Sequence, residues 1–191
     1  MNIGLYFGSF NPLHIGHCII ANYTLQNAPI DQVWLVVSPH NPFKKEANLL
    51  NEYQRLHLAK LAFVETPDIR VVDIEFGLPK PSYTIDTMVY IKEKYPEHVF
   101  SIILGSDGFQ NIHQWKNAEV LVRNYQFIVY KRPGFDIINK NIKINYLELE
   151  APLLDISSTK IRQYIKERKS IKFMTPDTVL KEIEASNYYR S

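Results

Sequence analysis

The stretch IGLYFGSFNPLHIGH, residues 3–17, contains the transition that decides the fold. Its first five residues form an apolar run typical of a buried strand, and Asn11-Pro12 predicts a sharp turn shortly after it. A helical pattern then runs from Ile15 to Gln26. A buried strand that leads through a tight turn into a helix is the first unit of an α/β fold.

The remainder of the chain continues this alternation of short apolar runs and helical patterns. Strands are predicted at Ile3–Phe7, Val33–Val37, Ile69–Ile74, Val99–Leu104, Phe127–Tyr130 and Ile144–Leu149. Helices are predicted at Ile15–Gln26, Glu52–Glu65, Thr84–Lys94, Trp115–Asn124 and about Ser158–Lys169. A last helix follows residue 174, with Thr175 as its N-cap and Pro176 at its first position. This order predicts a mainly parallel sheet with helices on both faces, followed by C-terminal helices.

Length and composition limit the class of protein. The 191 residues, 46% of them hydrophobic, predict a single domain over 1–191, with a core at about 1–150 and a helical part at about 151–191. The net charge is +2 with acids and bases mixed throughout, which argues against nucleic acid as a partner. The only cysteine, Cys18, cannot form an intramolecular disulfide, which fits a cytoplasmic protein. The pattern predicts neither a signal peptide nor a membrane span.

Two histidines stand at the predicted start of the first helix. If this helix begins near Leu13 or His14, His14 and His17 lie one turn apart on the same face. The free N–H groups and positive dipole end of a helix start attract anions and repel cations, which favours a polyphosphate site over a metal pair. One capping histidine and one core histidine are a third interpretation. Gly8, at the end of the strand, would let a ligand approach the backbone.

A second candidate anion site is DISSTKIR, residues 155–162. One of Ser157, Ser158 and Thr159 is expected to cap the following helix, and Arg162 lies one turn after Ser158 on the same face. Hydroxyls, free N–H groups and a guanidinium would converge there on the distal phosphates of a nucleotide. An ordinary serine cap beside a solvated arginine is the alternative. The sequence contains neither a Walker-type phosphate loop nor G-x-G-x-x-G after its first strand.

These two motifs resemble the paired signatures of the nucleotidylyltransferase superfamily, G-x-F-x-P-x-H-x-G-H and I-S-S-T-x-I-R. Three further segments resemble the nicotinate-nucleotide adenylyltransferases within it: PSYTIDT at 81–87, ILGSDGF at 103–109 followed by Trp115, and YKRPG at 130–134. The matching segments occur in order between Gly4 and about Ile183. The resemblance implies a Rossmann-like fold and an enzyme that joins nicotinate mononucleotide to ATP, giving nicotinate adenine dinucleotide and pyrophosphate with Mg²⁺.

The resemblance also implies a role for each motif. By it, the expected catalytic residues are His14, His17 and Arg162, and the Mg²⁺ is carried by the ATP phosphates. The residues expected at ATP are Gly8, Ser9, Phe10, His14, His17, Gly105, Asp107, Ile156, Ser157, Ser158 and Arg162. The residues expected at nicotinate mononucleotide are Lys44, Tyr83, Thr84 and Trp115.

Several of these residues have two chemical interpretations. Asp107 follows an apolar strand, where its carboxylate could accept from ribose hydroxyls or cap a helix. Trp115 could offer a flat face to a pyridine ring or pack in the core. Thr84 could mark a helix start that binds a carboxylate or act as a plain N-cap. Lys44 or Lys45 could contact a phosphate or belong to a solvated loop.

Two other functions compete with this interpretation. The chain could transfer a nucleotidyl group to a different acceptor, such as nicotinamide mononucleotide or phosphopantetheine. It could also be a nucleotide-binding regulator that no longer catalyses. PSYTIDT and the Gly105–Trp115 region argue against the first, and the presence of both histidines and Arg162 argues against the second.

Overall fold

Six parallel strands form one sheet in the part of the chain that the computed structural model describes, which is residues 1–40, 42, 49–132, 134–137, 144–152 and 154–190. The strands are β1 Asn2–Gly8, β2 Gln32–Val37, β3 Ile69–Val72, β4 Val99–Gly105, β5 Gln126–Tyr130 and β6 Tyr146–Leu149. Their order is β3-β2-β1-β4-β5-β6, and every neighbouring pair is parallel. The prediction of a Rossmann-like α/β fold is confirmed.

The helices of the described ranges connect these strands and close the chain. They are α1 Ile15–Asn27, α2 Glu52–Ala62, α3 Thr84–Lys94, α4 Ser106–Gln110, α5 Ala118–Asn124, α6 Ser158–Lys166 and α7 Asp177–Ala185. Two 3-10 turns lie at Ile74–Gly77 and Ile112–Gln114. None of the helices in these ranges combines the length and the apolar character needed to cross a bilayer.

The apolar strands are explained by cores on both faces of the sheet. Along β2, Trp34 and Val36 face the core that contains α3, α4 and α5, while Val33 and Leu35 face the core that contains α1 and α2. All four side chains are at most 1% exposed. A strand covered on both faces has no polar side, so its sequence does not alternate.

The C-terminal helices pack on α2 through a third apolar cluster. Leu58 of α2 meets Ile161 of α6 and Val179 of α7, and all three side chains are fully buried. The division of a single domain at about residue 150 stays a prediction.

Some predicted boundaries are wrong where helices begin and end. The helix predicted from Trp115 begins at Ala118, because the chain after β4 first forms α4 and a 3-10 turn. The last helix begins at Asp177 with Pro176 as N-cap, one residue later than predicted. Pro176 has an extended ψ of 146°, which is the backbone conformation of an N-cap and not of a first helical residue.

Candidate active site

A crevice opens where the strand order reverses, between β1 and β4. The two strands run side by side, with Leu5 paired to Ile102, and they end at Gly8 and Gly105. A cavity of about 630 Å³ lies at this edge. In open α/β sheets ligands bind outside the carboxyl ends of the strands at this reversal. The topology therefore places a candidate ligand site where the first signature motif and the segment after Gly105 begin.

The N-terminal loop, defined here as residues 8–14, holds an unusual backbone. Phe10 has a φ of 44°, in the left-handed region that few residues other than glycine favour. Its side chain is 2% exposed. Its ring fills the space beside Gly8, where an added Cβ would lie 2.8 Å from the ring. Gly8 is therefore required by the Phe10 ring, a structural reason in addition to the predicted approach of a ligand.

The two histidines stack on each other in the first turn of α1. His14 is the N-cap, and its backbone N–H donates to Nδ1 of His17 over 3.2 Å. The ring centroids are 3.7 Å apart and the rings are inclined by 26°. Because Nδ1 of His17 accepts a hydrogen bond, the proton of the neutral ring resides on Nε2. His17 can therefore donate a hydrogen bond through Nε2.

The environment of His14 keeps its ring neutral. Burial, together with the positive charge of Arg132, lowers the pKa of His14 to about 4. Its Nδ1 atom is buried and has no hydrogen-bond partner within the described ranges. His14 does not line the cavity, but Arg132, whose charge acts on it, does. An unpartnered buried ring nitrogen is a polar group that a ligand could satisfy.

The segment 155–162 reaches the N-terminal loop from the far end of the chain. Ser157 is the N-cap of α6 and accepts from the N–H of Lys160 over 3.2 Å. Ser158 Oγ donates to the carbonyl of Pro12 over 2.9 Å. Arg162 Nη1 donates to the carbonyl of Asn11 over 2.7 Å. These bonds bring the starts of α1 and α6 together across about 150 residues of chain.

The C-terminal segment makes one more contact with α1. The N–H of Ile15, the first residue of the helix, donates to the carbonyl of Met174 over 3.0 Å. One donor of the α1 N-terminus is thus satisfied by the chain that connects α6 to α7. The prediction that free N–H groups remain for a ligand does not hold for this donor.

Three of the residues predicted to bind nicotinate mononucleotide line the cavity on its α3 side. Tyr83 is the N-cap of α3 and Thr84 its first residue, so the alternative in which Thr84 is the cap is wrong. Both line the cavity with the half-buried Trp115. Lys116 lies 4.8 Å from the centre of the Tyr83 ring and pairs with Asp86 over 2.8 Å. Lys44 lies outside the described residues.

The opposite wall carries an ion pair. Asp107, the second residue of α4, accepts from Nη1 of Arg132 over 2.8 Å, and the N–H of Arg132 donates to Ser106 Oγ over 2.9 Å. Gly105 is the N-cap of α4, so Asp107 does not cap it. An added Cβ on Gly105 would lie 2.5 Å from Oδ1 of Asp107 and 2.8 Å from Cδ of Arg132, so a larger residue here would displace this ion pair.

Sequence reasoning missed three residues of this region. Arg132 lines the cavity and lowers the pKa of His14; its signal was a pair of basic residues, Lys131 and Arg132, after a buried strand. Glu75 is 2% exposed, accepts from Thr87 Oγ1 over 2.8 Å, and has a pKa raised by burial. Arg55 is fully buried, and its signal was a cation within an otherwise apolar helix face.

A resident metal ion needs a cluster of metal-ligating side chains. Across the described ranges there is no group of three or more His, Cys, Asp or Glu side chains that could hold a metal ion.

The sequence matches the model of the cytidylyltransferase-like family over residues 5–164. The match includes the end of β1, both His14 and His17, and the start of α6. It defines the class as nucleotidyltransferase. Within that class, a protein of Flavobacterium psychrophilum named "Probable nicotinate-nucleotide adenylyltransferase" is 48% identical over 193 residues, covering 100% of both chains. A protein of Bacteroides fragilis with the same name is 42% identical and covers 94% of this chain and 90% of its own. The chain belongs to the nicotinate-nucleotide adenylyltransferase family.

A solved structure has the same fold. Plasmodium falciparum nicotinic acid mononucleotide adenylyltransferase complexed with NaAD superposes with a TM-score of 0.83, covering 98% of this chain and 97% of that chain. Its sequence identity is 24%, so the similarity concerns the fold.

Proposed function

We propose that the chain transfers the adenylyl group of ATP to nicotinate mononucleotide, releasing pyrophosphate and forming nicotinate adenine dinucleotide for NAD biosynthesis. The observation that carries this proposal is the pair of hydrogen bonds from Ser158 and Arg162 to the N-terminal loop. They join two helix starts, and the ring of His17 there lies 6.2 Å from the ring of Tyr6, which lines the cavity. This arrangement is suited to a polyphosphate and a second substrate. The family membership supports the choice of substrates.

The proposed ATP site follows the N-terminal loop and the start of α6. His14, His17 and Arg162 would contact the phosphates and are the proposed catalytic residues. The remaining groups proposed for ATP are Gly8, Ser9, Phe10, Gly105, Asp107, Ile156, Ser157 and Ser158. The groups proposed for nicotinate mononucleotide are Lys44, Tyr83, Thr84 and Trp115.

The transfer needs no covalent intermediate with the protein. A phosphate oxygen of the mononucleotide attacks the α-phosphorus of ATP in line, and a new P–O bond forms. The bond from the α-phosphorus to its bridging oxygen breaks, and its electron pair leaves with pyrophosphate. Catalysis is then positioning together with stabilisation of the charge that develops on the phosphoryl oxygens.

The site chemistry suits this role. The Nε2–H of His17 would donate to an oxygen of the transferring phosphoryl group, and the Arg162 guanidinium would neutralise charge on the leaving pyrophosphate. His14 stays neutral at pH 7 because its pKa is about 4, so it would act as a hydrogen-bonding group. Mg²⁺ would enter as part of the ATP substrate, coordinated by phosphate oxygens. We propose that the reaction takes place in the cytoplasm without a nucleic-acid or membrane partner.

The experiment that tests this proposal measures pyrophosphate release from MgATP with one acceptor at a time. The acceptors are nicotinate mononucleotide, nicotinamide mononucleotide and phosphopantetheine. We expect release with the first and at least a tenfold lower kcat/KM with the others, because a carboxylate can accept from the free N–H groups at the start of α3. A preference for another acceptor would contradict the assigned pocket, and ATP binding without release would identify a regulator.

A further inference from the structure

Arg55, on the first turns of α2, is a cation without access to solvent. Its relative exposure is 0%, and within the described ranges no carboxylate forms an ion pair with it within 4 Å, although the charge of Glu52 acts on it from farther away. A buried charge without a counter-ion is strongly destabilising unless hydrogen bonds satisfy it. The arrangement around Arg55 must therefore supply acceptors.

Four backbone carbonyls supply them. Nη1 of Arg55 donates to the carbonyl oxygens of Ser9 over 2.6 Å and of Ser38 over 2.8 Å. Nη2 donates to the carbonyl of Pro39 over 3.0 Å, and Nε to that of Leu50 over 2.7 Å. One guanidinium thus connects the chain after β1, the chain after β2 and the approach to α2.

The same segments are linked to each other through the N-terminal loop. The N–H of Leu50 donates to Oδ1 of Asn11 over 3.1 Å, and the N–H of Ser38 donates to the carbonyl of Gly8 over 2.9 Å. From the other side, Arg162 holds the carbonyl of Asn11. Residues 9–11 therefore lie between two arginines, one buried and one beside the candidate ATP site.

We propose that Arg55 is a positioning residue for adenylyl transfer, which holds the N-terminal loop so that His14 and His17 meet the phosphates. It acts through the Ser9 and Leu50 carbonyls and does not touch substrate. The planar fork is essential because its three nitrogens reach four carbonyls of three segments, whereas the single ammonium of a lysine cannot. This inference rests on the proposed function.

The test compares Arg55→Lys and Arg55→Gln with Leu58→Ala. Leu58 is also fully buried on α2, but its cluster contains α6 and α7 and not the loop. Leu58→Ala therefore removes buried packing from the same helix without releasing the Ser9 carbonyl, and its measured thermal stability is compared with that of the Arg55 variants. Arg55→Gln buries no charge and serves as the second variant if Arg55→Lys does not fold.

The readouts are the steady-state kinetics and the NMR titration of the His14 ring. For the Arg55 variants we expect kcat to fall roughly 10- to 100-fold, since small displacements of catalytic groups have effects of this size. The KM for nicotinate mononucleotide should change less than threefold, and the His14 pKa should rise from about 4 toward its usual value. Leu58→Ala should keep both kcat and the His14 titration.

Two results would overturn the inference. One is equal kcat for the Arg55 variants and the parent. The other is an equal fall of kcat for Arg55→Lys, Arg55→Gln and Leu58→Ala at matched stability, which would mean that Arg55 only stabilises the fold. Absence of adenylyl transfer in the parent protein would instead contradict the proposed function, while the His14 titration would still test the coupling of Arg55 to the loop.

Discussion

The two sides of the candidate site are built differently. On the side of the N-terminal loop, Arg55 and Arg162 donate to backbone carbonyls, and Arg55 is fully buried. On the cavity side, the charged groups form ion pairs with each other: Lys116 with Asp86, and Arg132 with Asp107. The side chains of these two pairs are 36–46% exposed.

This difference indicates how far the structure of each side changes when a ligand binds. A carbonyl that accepts from a buried arginine loses a strong hydrogen bond when it moves, which favours one geometry of the loop in the absence of nucleotide. An exposed ion pair contributes about 0–1 kcal/mol and can exchange its partner for a substrate group. We therefore expect the loop side to be preorganised for the phosphates and the cavity side to adapt to the acceptor.

The largest expected effect is that of His17→Ala on the rate. We expect kcat to fall by roughly 10²–10³ with a much smaller change of KM for ATP, because the Nε2–H contact forms mainly in the transition state. Steady-state kinetics measure it, and His57→Ala, at a ring that is 53% exposed on α2, is the control. An unchanged kcat would falsify the assignment of His17.

The second effect concerns pH and the burial of His14. Because its folded pKa of about 4 lies below the unfolded value, the unfolded chain binds the proton first as the pH falls. His14 therefore costs no stability above pH 6.5 and destabilises the folded state progressively down to pH 4, by up to about 3 kcal/mol. Denaturant unfolding from pH 7.5 to 4 should show this loss in the parent and not in His14→Asn. Parallel pH profiles would contradict it.

The third effect is on affinity. Arg162→Ala should weaken ATP and pyrophosphate together by roughly 10- to 100-fold, since the variant loses charge-assisted hydrogen bonds and releases the Asn11 carbonyl. Calorimetric titrations with each ligand measure this effect. Lys160→Ala, at an exposed position on the same turn of α6, should leave both affinities intact. If Arg162→Ala also leaves them intact, the second anion site is misplaced.

The smallest effect is expected on the cavity side. Lys116→Gln should change the free energy of unfolding by less than about 1 kcal/mol, because its pair with Asp86 is exposed. The affinity for ATP should stay the same. A loss of several kcal/mol in the free energy of unfolding, measured by chemical denaturation, would contradict the contrast between the two sides. Asp86→Asn removes the other partner of the same ion pair and is the matched variant.

The sequence allowed prediction of the features that depend on local patterns. The apolar run of β2 and the helical spacing after Ile15 predicted an α/β fold, and the serines before α6 predicted its cap, which is Ser157. These signals are local because propensity, burial and capping act over a few residues. The two signature motifs also predicted that residues 8–17 and 155–162 belong to one site.

The missed features depend on contacts between distant segments. Arg55 occupies a position where periodicity predicts an apolar side chain, and only the carbonyls after β1 and β2 explain its burial. Arg132 becomes part of the site because β5 lies beside β4, a neighbour relation that no local pattern encodes. The short helix α4 was missed because five residues give too few turns for a helical period.

The bonds from Ser158 and Arg162 to the N-terminal loop, and from Ile15 to Met174, also set an order of events during synthesis. A ribosome that has translated the first 150 residues has made every strand of the sheet and both histidines. The carbonyls of Asn11 and Pro12 can accept from Arg162 and Ser158 only after α6 has emerged. On the proposed function, a nascent chain can hold a finished sheet and still be unable to use ATP until its final helices leave the ribosome.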